Sequence, residues 1–412
     1  MEPVSAAEKY PYITKEYLEG ALRKEQFDNS ITIKEYCVEP ALAKGENYSA
    51  DILRVKINYV TGSKNHRIQT YIIKSALTSE GMADILEEYD MFHREIAVYN
   101  NILPKVEQML ANVGYTRKLA PIAHVVCAEN PKHFIFEDLA LQGFQNADRK
   151  QGLTYKQLEM VLEKISKFHA ATAFLYSRDE ESMCDHNYRN INEEIQHLYP
   201  LFENGVVSTA EQAAKWPTTS KTIAKKLSKL EKTVIAKGCN VYTRDDTSFN
   251  VLNHGDLWVN NVMFKFDSRK NLIDSILVDY AVGFFGSPAI DLSYLLFTSS
   301  CNDVTTDQFD LLLQFYHSQL VDCLMKLGYT KTLPTLLDIQ VDMLRKGFVG
   351  IMFATFLIPL RLMEDTTNAD LGNLLSMSAE AVNFRRQIFS HPNYQCRMEY
   401  LLNYFDRKGY LD

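Results

Sequence analysis

The chain reads Leu252-Asn253-His254-Gly255-Asp256-Leu257-Trp258-Val259-Asn260-Asn261-Val262, and the apolar run Ile276-Leu277-Val278 leads into Asp279. This stretch sets an aspartate, an asparagine five residues later and a second aspartate along segments whose apolar residues are typical of strands. A single Asp or Asn in a polar loop is usually a turn former or a helix cap. The three residues together, at these spacings, indicate a functional site.

Each of these residue types suits one part of a phosphoryl transfer from a nucleoside triphosphate. A carboxylate aimed at an acceptor hydroxyl orients it and takes its proton, which predicts Asp256 as the catalytic base. The amide oxygen of Asn261 can ligate magnesium without adding negative charge, and Asp279 supplies the hard carboxylate oxygen that this ion prefers. The pattern therefore predicts ATP and Mg²⁺ as cofactors, with Asn261 and Asp279 as the metal ligands.

Other short segments surround this stretch in a fixed order. They are Gly45-Glu46-Asn47-Tyr48-Ser49-Ala50, Tyr71-Ile72-Ile73-Lys74, Phe92-His93-Arg94-Glu95-Ile96-Ala97-Val98-Tyr99, Phe134-Ile135-Phe136-Glu137-Asp138-Leu139, Phe168-His169-Ala170 and Ser287-Pro288-Ala289-Ile290-Asp291-Leu292. With the His-Gly-Asp loop they resemble the aminoglycoside-phosphotransferase and choline-kinase-like branch of the protein-kinase-like fold, where protein kinases carry His-Arg-Asp. Within that branch the chain is most similar to the ecdysteroid-kinase-like family of small-molecule kinases.

The resemblance implies an α+β, bilobal protein-kinase-like fold with a small antiparallel β-sheet N-lobe and a larger, mainly helical C-lobe. Residues 1–139 are the expected nucleotide-binding lobe, and residues 140–412 the expected lobe with the catalytic loop and an acceptor pocket. Alternating apolar residues predict strands at 31–33, 52–57 and 69–74, the last two joined as a hairpin around Gly62.

The predicted nucleotide contacts lie in the first of these lobes. The turn that holds Gly45, Asn47 and Ser49 is expected to fold over the phosphates and present backbone N–H groups to them. Lys74, at the end of a strand, is expected to contact the α- and β-phosphates.

In the same arrangement Glu95 holds the lysine in place. Glu87 and Glu88 are rival partners of the lysine, and the resemblance aligns Glu95. Glu137 and Leu139 lie at the expected hinge, where backbone groups bind adenine.

The chain after the hinge is predicted to be mainly helical. Thr154 and Gln157 form a capping box that opens a long helix, and residues 336–363 are predicted as one further helix. Residues 178–222 are predicted as a polar, irregular connection. Asp291 is expected to satisfy backbone groups of the catalytic loop and, with His254, to support the site.

Composition sets limits on the class of protein. The chain has 412 residues and 46% hydrophobic content, enough for substantial cores in about two to three domains. A formal net charge of -8 argues against nonspecific attraction to nucleic acid. We therefore expect no nucleic acid as a partner, and the family resemblance implies a small-molecule alcohol instead.

Cysteine usage and hydropathy bear on location. The seven cysteines are scattered, with no CxxC pair and no zinc spacing, which fits reduced thiols in the cytoplasm. The N-terminus shows no basic region followed by an apolar core. The longest apolar stretch, 347–360, is shorter than the roughly 20 residues of a membrane span, so we predict a buried helix and no membrane association.

The acceptor is the least specified part of the site. Phe348, Met352 and Phe356 lie on an aromatic and aliphatic stripe that favours a lipophilic alcohol, although the same stripe also fits core packing. Choline-type acceptors need aromatic faces and carboxylates around a cation. The family resemblance implies ecdysteroids or other hydroxylated hydrophobic compounds, including detoxification intermediates.

Two alternative functions stay open at this point. The first is a choline- or ethanolamine-type kinase. The second is a catalytically weak, kinase-like carrier of a lipophilic ligand, since Ala281 stands where many relatives carry a polar residue after the Asp-Phe or Asp-Tyr pair. Retention of Asp256, Asn261 and Asp279 argues against the carrier, because a binding module needs none of that chemistry.

Overall fold

The computed structural model describes residues 9–42, 50–77, 87–193, 196–364 and 371–412. The chain divides into two compact units, Met1–Glu87 with Pro121–Gly143 and Glu88–Ala120 with Phe144–Asp412. The predicted α+β fold, with an antiparallel sheet in the N-terminal region and mainly helical structure after it, is confirmed. The lobes predicted as 1–139 and 140–412 stay a prediction.

The first unit is built on a five-stranded antiparallel sheet. Its elements are α1 (Lys15–Gln26), β1 (Thr32–Pro40), β2 (Ala50–Val60), β3 (His66–Ala76), β4 (Ala123–Cys127), β5 (His133–Glu137) and a 3-10 turn (Leu139–Gln142). The strand order is β1-β2-β3-β5-β4. The hairpin predicted around Gly62 is confirmed, because β2 and β3 pair along their whole length.

Helix α1 packs on this sheet through its apolar positions. The helix begins after Thr14, whose hydroxyl accepts a hydrogen bond from the Tyr17 N–H at 3.1 Å. Leu18 and Leu22 are fully buried, one turn apart on the same side of the helix. They belong to one apolar cluster with Ile33, Leu53, Val55, Ile57, Tyr59, Tyr71, Ile73 and Ile135 of the sheet.

The second unit is mainly helical. Its α-helices are α2 (Met91–Ala97), α3 (Leu103–Asn112), α4 (Tyr155–Arg178), α5 (Tyr199–Ala213), α6 (Lys221–Leu230), α7 (Val234–Tyr242), α8 (Ala289–Ser299), α9 (Thr306–Leu327), α10 (Leu336–Lys346), α11 (Phe348–Leu362), α12 (Leu371–Leu375), α13 (Ala379–Phe389) and α14 (Pro392–Arg407). Its strands are β6 (Phe144–Asn146), β7 (Val251–Asn253), β8 (Val262–Phe266), β9 (Leu272–Leu277) and β10 (Phe284–Gly286). A π-helical turn (Val98–Ile102) and two 3-10 segments (Glu180–His186 and Val259–Asn261) complete it.

Two small sheets bring the ends of distant segments together. β7 pairs antiparallel with β10, so the end of β7 at Asn253 lies opposite Phe284. β8 pairs antiparallel with β6 and β9, and Val262 lies opposite Leu277. The loop that follows β7 and the loop that follows β9 therefore lie side by side.

Helix α4 is the scaffold that the sequence predicts. The capping box of Thr154 and Gln157 is present, with both reciprocal hydrogen bonds. The predicted apolar stripe is buried, from Leu158 through Phe168 to Thr172. Thr172 also positions β7, because its hydroxyl accepts a hydrogen bond from the Leu252 N–H at 3.1 Å.

Helix α8 is buried along its whole length. Its C-terminal carbonyls meet a buried guanidinium, since Arg361 Nη1 lies 3.3 Å from Ser299 O and 3.5 Å from Ser300 O. A cation at the C-terminal end of a helix is favoured by the helix dipole and by the unpaired carbonyls there. Burial and this cap hold α8 in place beside β7.

The helix predicted over residues 336–363 is broken in the structure, so that prediction is wrong. α10 and α11 meet at Gly347 with a bend of 60°. A Cβ at Gly347 would lie 2.1 Å from Cζ of Tyr410, so the ring of Tyr410 occupies the space at the break. Among the described residues no single helix has the length and hydropathy of a membrane span, and only α10 and α11 taken together reach that threshold.

The segment predicted as irregular over 178–222 contains a helix. α5 runs from Tyr199 to Ala213, and its buried residues include Leu201, Phe202 and Val206. These residues recur at helical spacing between polar neighbours. The prediction was wrong because it gave more weight to the polar residues on either side than to this short apolar pattern.

We expect two glycine substitutions to change stability in opposite directions. Gly350→Ala places a methyl group 2.1 Å from the buried ring of Phe297, and overpacking of this kind costs about 1–3 kcal/mol. Gly20→Ala, at an exposed site in α1 with no atom within 4 Å of the new Cβ, gains up to about 1 kcal/mol of helix propensity. Urea unfolding of both variants measures the difference, and equal stabilisation by both would contradict the close packing of α8 on α11.

Candidate active site

A tight turn carries the catalytic-loop residues away from the end of β7. Gly255 in this turn has φ +84°, a left-handed conformation that favours glycine. A Cβ there would lie 2.2 Å from the Val282 carbonyl oxygen. Both the backbone conformation and the close approach of Val282 therefore require glycine between His254 and Asp256.

Two donors hold the Asp256 carboxylate. The Tyr294 hydroxyl donates to Oδ1 at 2.5 Å, and the Asn261 amide donates to Oδ2 at 2.7 Å. Asn261 Nδ2 also donates to the Asp256 carbonyl oxygen at 2.9 Å. These hydrogen bonds fix the carboxylate, and Asp256 is partly exposed to solvent.

The same contacts set the orientation of Asn261. Both Asp256 contacts are made by Nδ2, so the amide oxygen is directed away from that carboxylate. Among the described residues no group of three or more His, Cys, Asp or Glu side chains is placed to hold a metal. Mg²⁺ often needs only one or two protein oxygens, with phosphates and water filling the other positions. The oxygens of Asn261 and Asp279 fit that requirement.

Asp279 lies in the loop directly after β9. Its backbone is in the left-handed region, with φ +68°, which Asp tolerates better than most residues. The preceding residue, Val278, donates its N–H to Asn261 O at 3.0 Å. This bond joins the segment of one predicted metal ligand to the segment of the other.

His254 makes a second link between the same two segments. Its Nδ1 accepts the Asp256 N–H at 3.3 Å, so the proton of the neutral ring lies on Nε2, which donates to Val278 O at 3.0 Å. Burial lowers the pKa of His254, against the opposing effect of the Asp291 and Asp279 charges. His254 therefore supports the loop as a neutral imidazole.

The carboxylate of Asp291 holds the loop through two backbone N–H groups. Its Oδ2 accepts the His254 N–H at 2.7 Å, and its Oδ1 accepts the Gly255 N–H at 2.9 Å. His169 Nε2 lies 3.1 Å from Oδ2, and the Tyr316 hydroxyl lies 2.7 Å from His169 Nδ1. The hydrogen bonds that the sequence predicts between Asp291 and the loop backbone are present. The side chains of Asp291, His254, His169 and Tyr316 are all buried.

Arg94 is a site residue that sequence reasoning missed. Its guanidinium is buried, and Nη2 donates to Gly283 O at 2.8 Å and to Asn190 Oδ1 at 2.5 Å. The group stacks on the Tyr188 ring at 4.3 Å, and Asn190 Nδ2 donates to Val282 O at 2.8 Å. Arg94 and Asn190 thus fix the segment just beyond Asp279. The segment that contains Arg94 was singled out in the sequence, but for Glu95.

The predicted residues of the first unit occupy the central strands and the end of β5. Lys74 is buried in β3, opposite Ile52 of β2 and Phe134 of β5. Glu137 accepts hydrogen bonds from the Ile122 N–H at 2.8 Å and from Gln142 Nε2 at 2.6 Å, so its side chain ties the end of β5 to its neighbours.

The remaining residues predicted to contact the nucleotide are Leu139, Glu95 and the turn of Gly45, Asn47 and Ser49. Leu139 is buried at the start of its 3-10 turn, and Glu95 is buried in α2 of the second unit. Gly45, Asn47 and Ser49 lie outside the described residues. The pairing of Lys74 with Glu95 stays a prediction.

The residues predicted for the acceptor pocket are buried in α11. Met352 packs against Gly238, where a Cβ would lie 2.6 Å from the methionine methyl carbon. The Phe356 ring packs on Phe202 with centroids 5.4 Å apart, and Lys237 lies over the Phe348 ring at 5.4 Å. Core packing accounts for these contacts, and an acceptor role stays a prediction.

A cavity of about 280 Å³ lies elsewhere in the second unit. Its lining is mainly polar and includes Arg244, Ser287, Asp342, Arg345 and Lys346. Most of these groups already have partners: Ser287 donates to Asp342 at 2.7 Å, and Lys346 donates to Val241 O at 2.9 Å. The predicted acceptor residues of α11 do not line it.

The antiparallel sheet, the helical second unit and the His-Gly-Asp loop with its Asn and Asp partners define a small-molecule kinase, a phosphotransferase of the protein-kinase-like fold. Residues 44–329 match the Ecdysteroid kinase-like family. The chain belongs to that family. Its sequence has no significant match among curated proteins.

The chain also matches solved structures at low sequence identity. A choline kinase from Cryptosporidium parvum Iowa II is 11% identical, with a TM-score of 0.43 over 96% of this chain and 98% of that one. A choline/ethanolamine kinase family protein from Mesorhizobium loti is 10% identical, with a TM-score of 0.31 over 84% and 89%. A glucosamine kinase is 11% identical, with a TM-score of 0.33 over 95% and 85%. Such distant similarities say nothing about the acceptor of this chain.

We expect His186 to make stability depend on pH. The ring is buried, its Nδ1 has no hydrogen-bond partner among the described residues, and burial lowers its pKa to about 4. An unfolded histidine titrates near pH 6.5, so between about pH 6.5 and 4 the unfolded chain binds more protons. The free energy of unfolding is therefore expected to fall by ~3 kcal/mol as pH drops through that range.

His186→Gln tests this expectation. The variant should lose that part of the pH dependence when unfolding is measured between pH 4 and 7.5, because glutamine does not titrate. His66→Gln, at an exposed histidine, is the matched control and should leave the slope unchanged. An unaltered slope in His186→Gln would show that the buried ring is not the titrating group.

Proposed function

We propose that this kinase transfers the γ-phosphoryl group of ATP, with Mg²⁺, to a hydroxyl of a lipophilic alcohol such as an ecdysteroid or a hydroxylated xenobiotic. The observation that carries the proposal is the Asp256 carboxylate, held by Tyr294 and Asn261. Hydrogen bonds to Val278 join that loop to the segment of Asp279. A fixed carboxylate beside two oxygen donors suits in-line phosphoryl transfer.

Asp256 acts on the acceptor in this mechanism. The Tyr294 hydroxyl and the Asn261 amide hold this carboxylate through hydrogen bonds. The carboxylate accepts the hydrogen bond of the acceptor hydroxyl, which aligns the hydroxyl oxygen with the γ-phosphorus. The hydroxyl proton passes to the carboxylate as the new phosphorus–oxygen bond forms and ADP leaves.

Asn261 and Asp279 are proposed to hold the magnesium ion through their side-chain oxygens. Bound there, Mg²⁺ would neutralise charge on the phosphates of the nucleotide. The amide of Asn261 has a second task, since it donates to Asp256 while its oxygen is directed elsewhere. One side chain therefore links the orientation of the base to the metal position.

The nucleotide contacts are proposed from the first unit. Lys74 is assigned to the α- and β-phosphates with Glu95 as its partner, and the turn of Gly45, Asn47 and Ser49 to the phosphates. Backbone groups at Glu137 and Leu139 are assigned to adenine. The involvement of the Glu137 carboxylate in local bonds supports a backbone role at the hinge.

Two observations support a lipophilic acceptor. The chain belongs to the Ecdysteroid kinase-like family. The side chains that lead away from Asp256 are aromatic: Tyr294 packs on Phe353 at 4.2 Å, and Phe353 packs on Phe202 and Phe356 at 5.6 Å. The same aromatic faces would also suit a quaternary cation, so choline belongs in the acceptor panel below. A role in detoxification follows from this acceptor class, and the seven free thiols support a cytoplasmic location.

Asp256→Asn is expected to reduce phosphoryl transfer about 10²- to 10⁴-fold, because the amide cannot take the acceptor proton. Transfer of labelled γ-phosphate from Mg-ATP is measured to ecdysteroids, hydroxylated hydrophobic xenobiotics, choline and amino sugars. Magnesium-dependent binding of ATP should persist in the variant. Asp303→Asn, at an exposed aspartate, is the control and should match the parent.

The outcomes of this panel separate the candidate functions. Phosphorylation of choline or an amino sugar, and of no lipophilic alcohol, would refute the proposed acceptor class. An absence of magnesium-dependent ATP binding would favour a ligand carrier instead.

Asp279→Asn is expected to raise the Mg²⁺ concentration needed for half-maximal transfer by roughly tenfold or more, because one charged ligand becomes neutral. Asparagine tolerates the left-handed backbone at this position, so the loop should keep its shape. A magnesium titration at fixed ATP measures the change. An unchanged magnesium requirement would exclude Asp279 as a metal ligand.

A further inference from the structure

Tyr294 lies on α8, three residues after Asp291, and its side chain is buried. Its hydroxyl makes the 2.5 Å contact with Asp256 Oδ1. Nothing in the local sequence pattern singles this tyrosine out, because it lies among ten other buried residues of the same helix.

The hydroxyl of Tyr294 is the donor in its contact with Asp256 at neutral pH. Burial, followed by the negative charge of Asp256, raises the pKa of Tyr294 well above its ordinary value. The phenol therefore stays protonated, and a protonated phenol beside a carboxylate donates its hydrogen. A hydrogen bond to a charged acceptor is among the stronger protein hydrogen bonds.

The ring of Tyr294 is itself held in place. It packs on Phe353 of α11 with centroids 4.2 Å apart. Its backbone carbonyl accepts the Thr298 hydroxyl at 2.7 Å, within the same helix. Since α8 also binds the loop backbone through Asp291, the donor has a fixed position relative to His254 and Gly255.

Tyr294 and Asn261 together restrict the rotation of the Asp256 carboxylate. The terminal torsion of an aspartate has a broad energy profile, so the carboxylate rotates unless both of its oxygens are held. Asn261 binds Oδ2, and Tyr294 binds Oδ1 from another part of the chain. Loss of the Tyr294 hydroxyl removes the restraint that this donor places on Oδ1.

We propose that Tyr294 is a positioning residue for the kinase reaction: its hydroxyl holds the Asp256 carboxylate in the orientation that meets the acceptor hydroxyl. This role rests on the proposed function. In the transfer, the acceptor proton goes to Asp256 and the phosphorus–oxygen bond to ADP breaks, while Tyr294 keeps its own proton throughout.

Tyr294→Phe tests the role because it removes only the hydroxyl and retains the ring against Phe353. We expect kcat to fall about 10- to 100-fold, with KM for ATP and for the acceptor nearly unchanged. This split between kcat and KM is the deciding readout, because a purely structural role for the hydroxyl would not lower kcat selectively.

Tyr394→Phe is the matched control. Tyr394 is also fully buried, and its hydroxyl lies 2.7 Å from the Thr209 hydroxyl, in contact with none of the site residues. Its loss should reduce stability comparably and leave kcat and both KM values as in the parent. Equal changes in both variants would overturn the proposal.

A measurement without turnover separates this role from the proposed function. In protein with ¹³C-labelled aspartate, the Asp256 carboxyl signal is identified by its absence in Asp256→Asn and compared at one neutral pH in the parent, Tyr294→Phe and Tyr394→Phe. The signal should change in Tyr294→Phe alone, because only that variant removes the hydrogen bond to Oδ1, and an unchanged signal overturns the proposal even if the parent transfers phosphate. A shifted signal in a parent that phosphorylates no acceptor would refute the proposed function, and the positioning role with it.

Discussion

The buried carboxylate of Asp291 accepts hydrogen bonds from the backbone N–H groups of His254 and Gly255, and the shape of the catalytic loop depends on these two bonds. Hydrogen bonds to a charged group are strong in a buried, low-dielectric setting, and an unsatisfied N–H there would be costly. They stabilise the left-handed turn at Gly255. That turn directs Asp256 toward Tyr294 and Asn261, so the position of the proposed base depends on the buried carboxylate of Asp291.

Negative charge accumulates around this loop, although the chain as a whole is already anionic at -8. Asp256, Asp279 and Asp291 all belong to the loop or to segments bonded to it, and burial keeps His254 neutral rather than cationic. Arg94 supplies one buried positive charge, and burial lowers its pKa only to about 10, so it stays protonated at neutral pH. A bound divalent cation is the natural complement to such a set of charges.

The parts of the site that could be predicted from sequence are those fixed by short-range spacing. Asp256 and Asn261 are five residues apart, and the loop between them brings their side chains together. Tyr294 could not be predicted, because it reaches Asp256 across 38 residues and only the packed fold defines that contact. The same limit applies to the fold: the break at Gly347 depends on Tyr410, whose ring comes from the far end of the chain. The local apolar pattern of residues 336–363 indicated one helix, and packing against Tyr410 divides it into two.

The positions of Asp291 and Tyr294 on one helix have a consequence for which sequence changes this segment tolerates. An α-helix turns about 100° and rises 1.5 Å with each residue, so residues three apart face nearly the same side. One inserted residue between them would swing the phenol by about 100° around the axis and away from Asp256. Substitutions elsewhere on α8 need only conserve volume. A change in length between Asp291 and Tyr294 would leave Asp291 bonded to the loop backbone but would move the Tyr294 hydroxyl away from the Asp256 carboxylate.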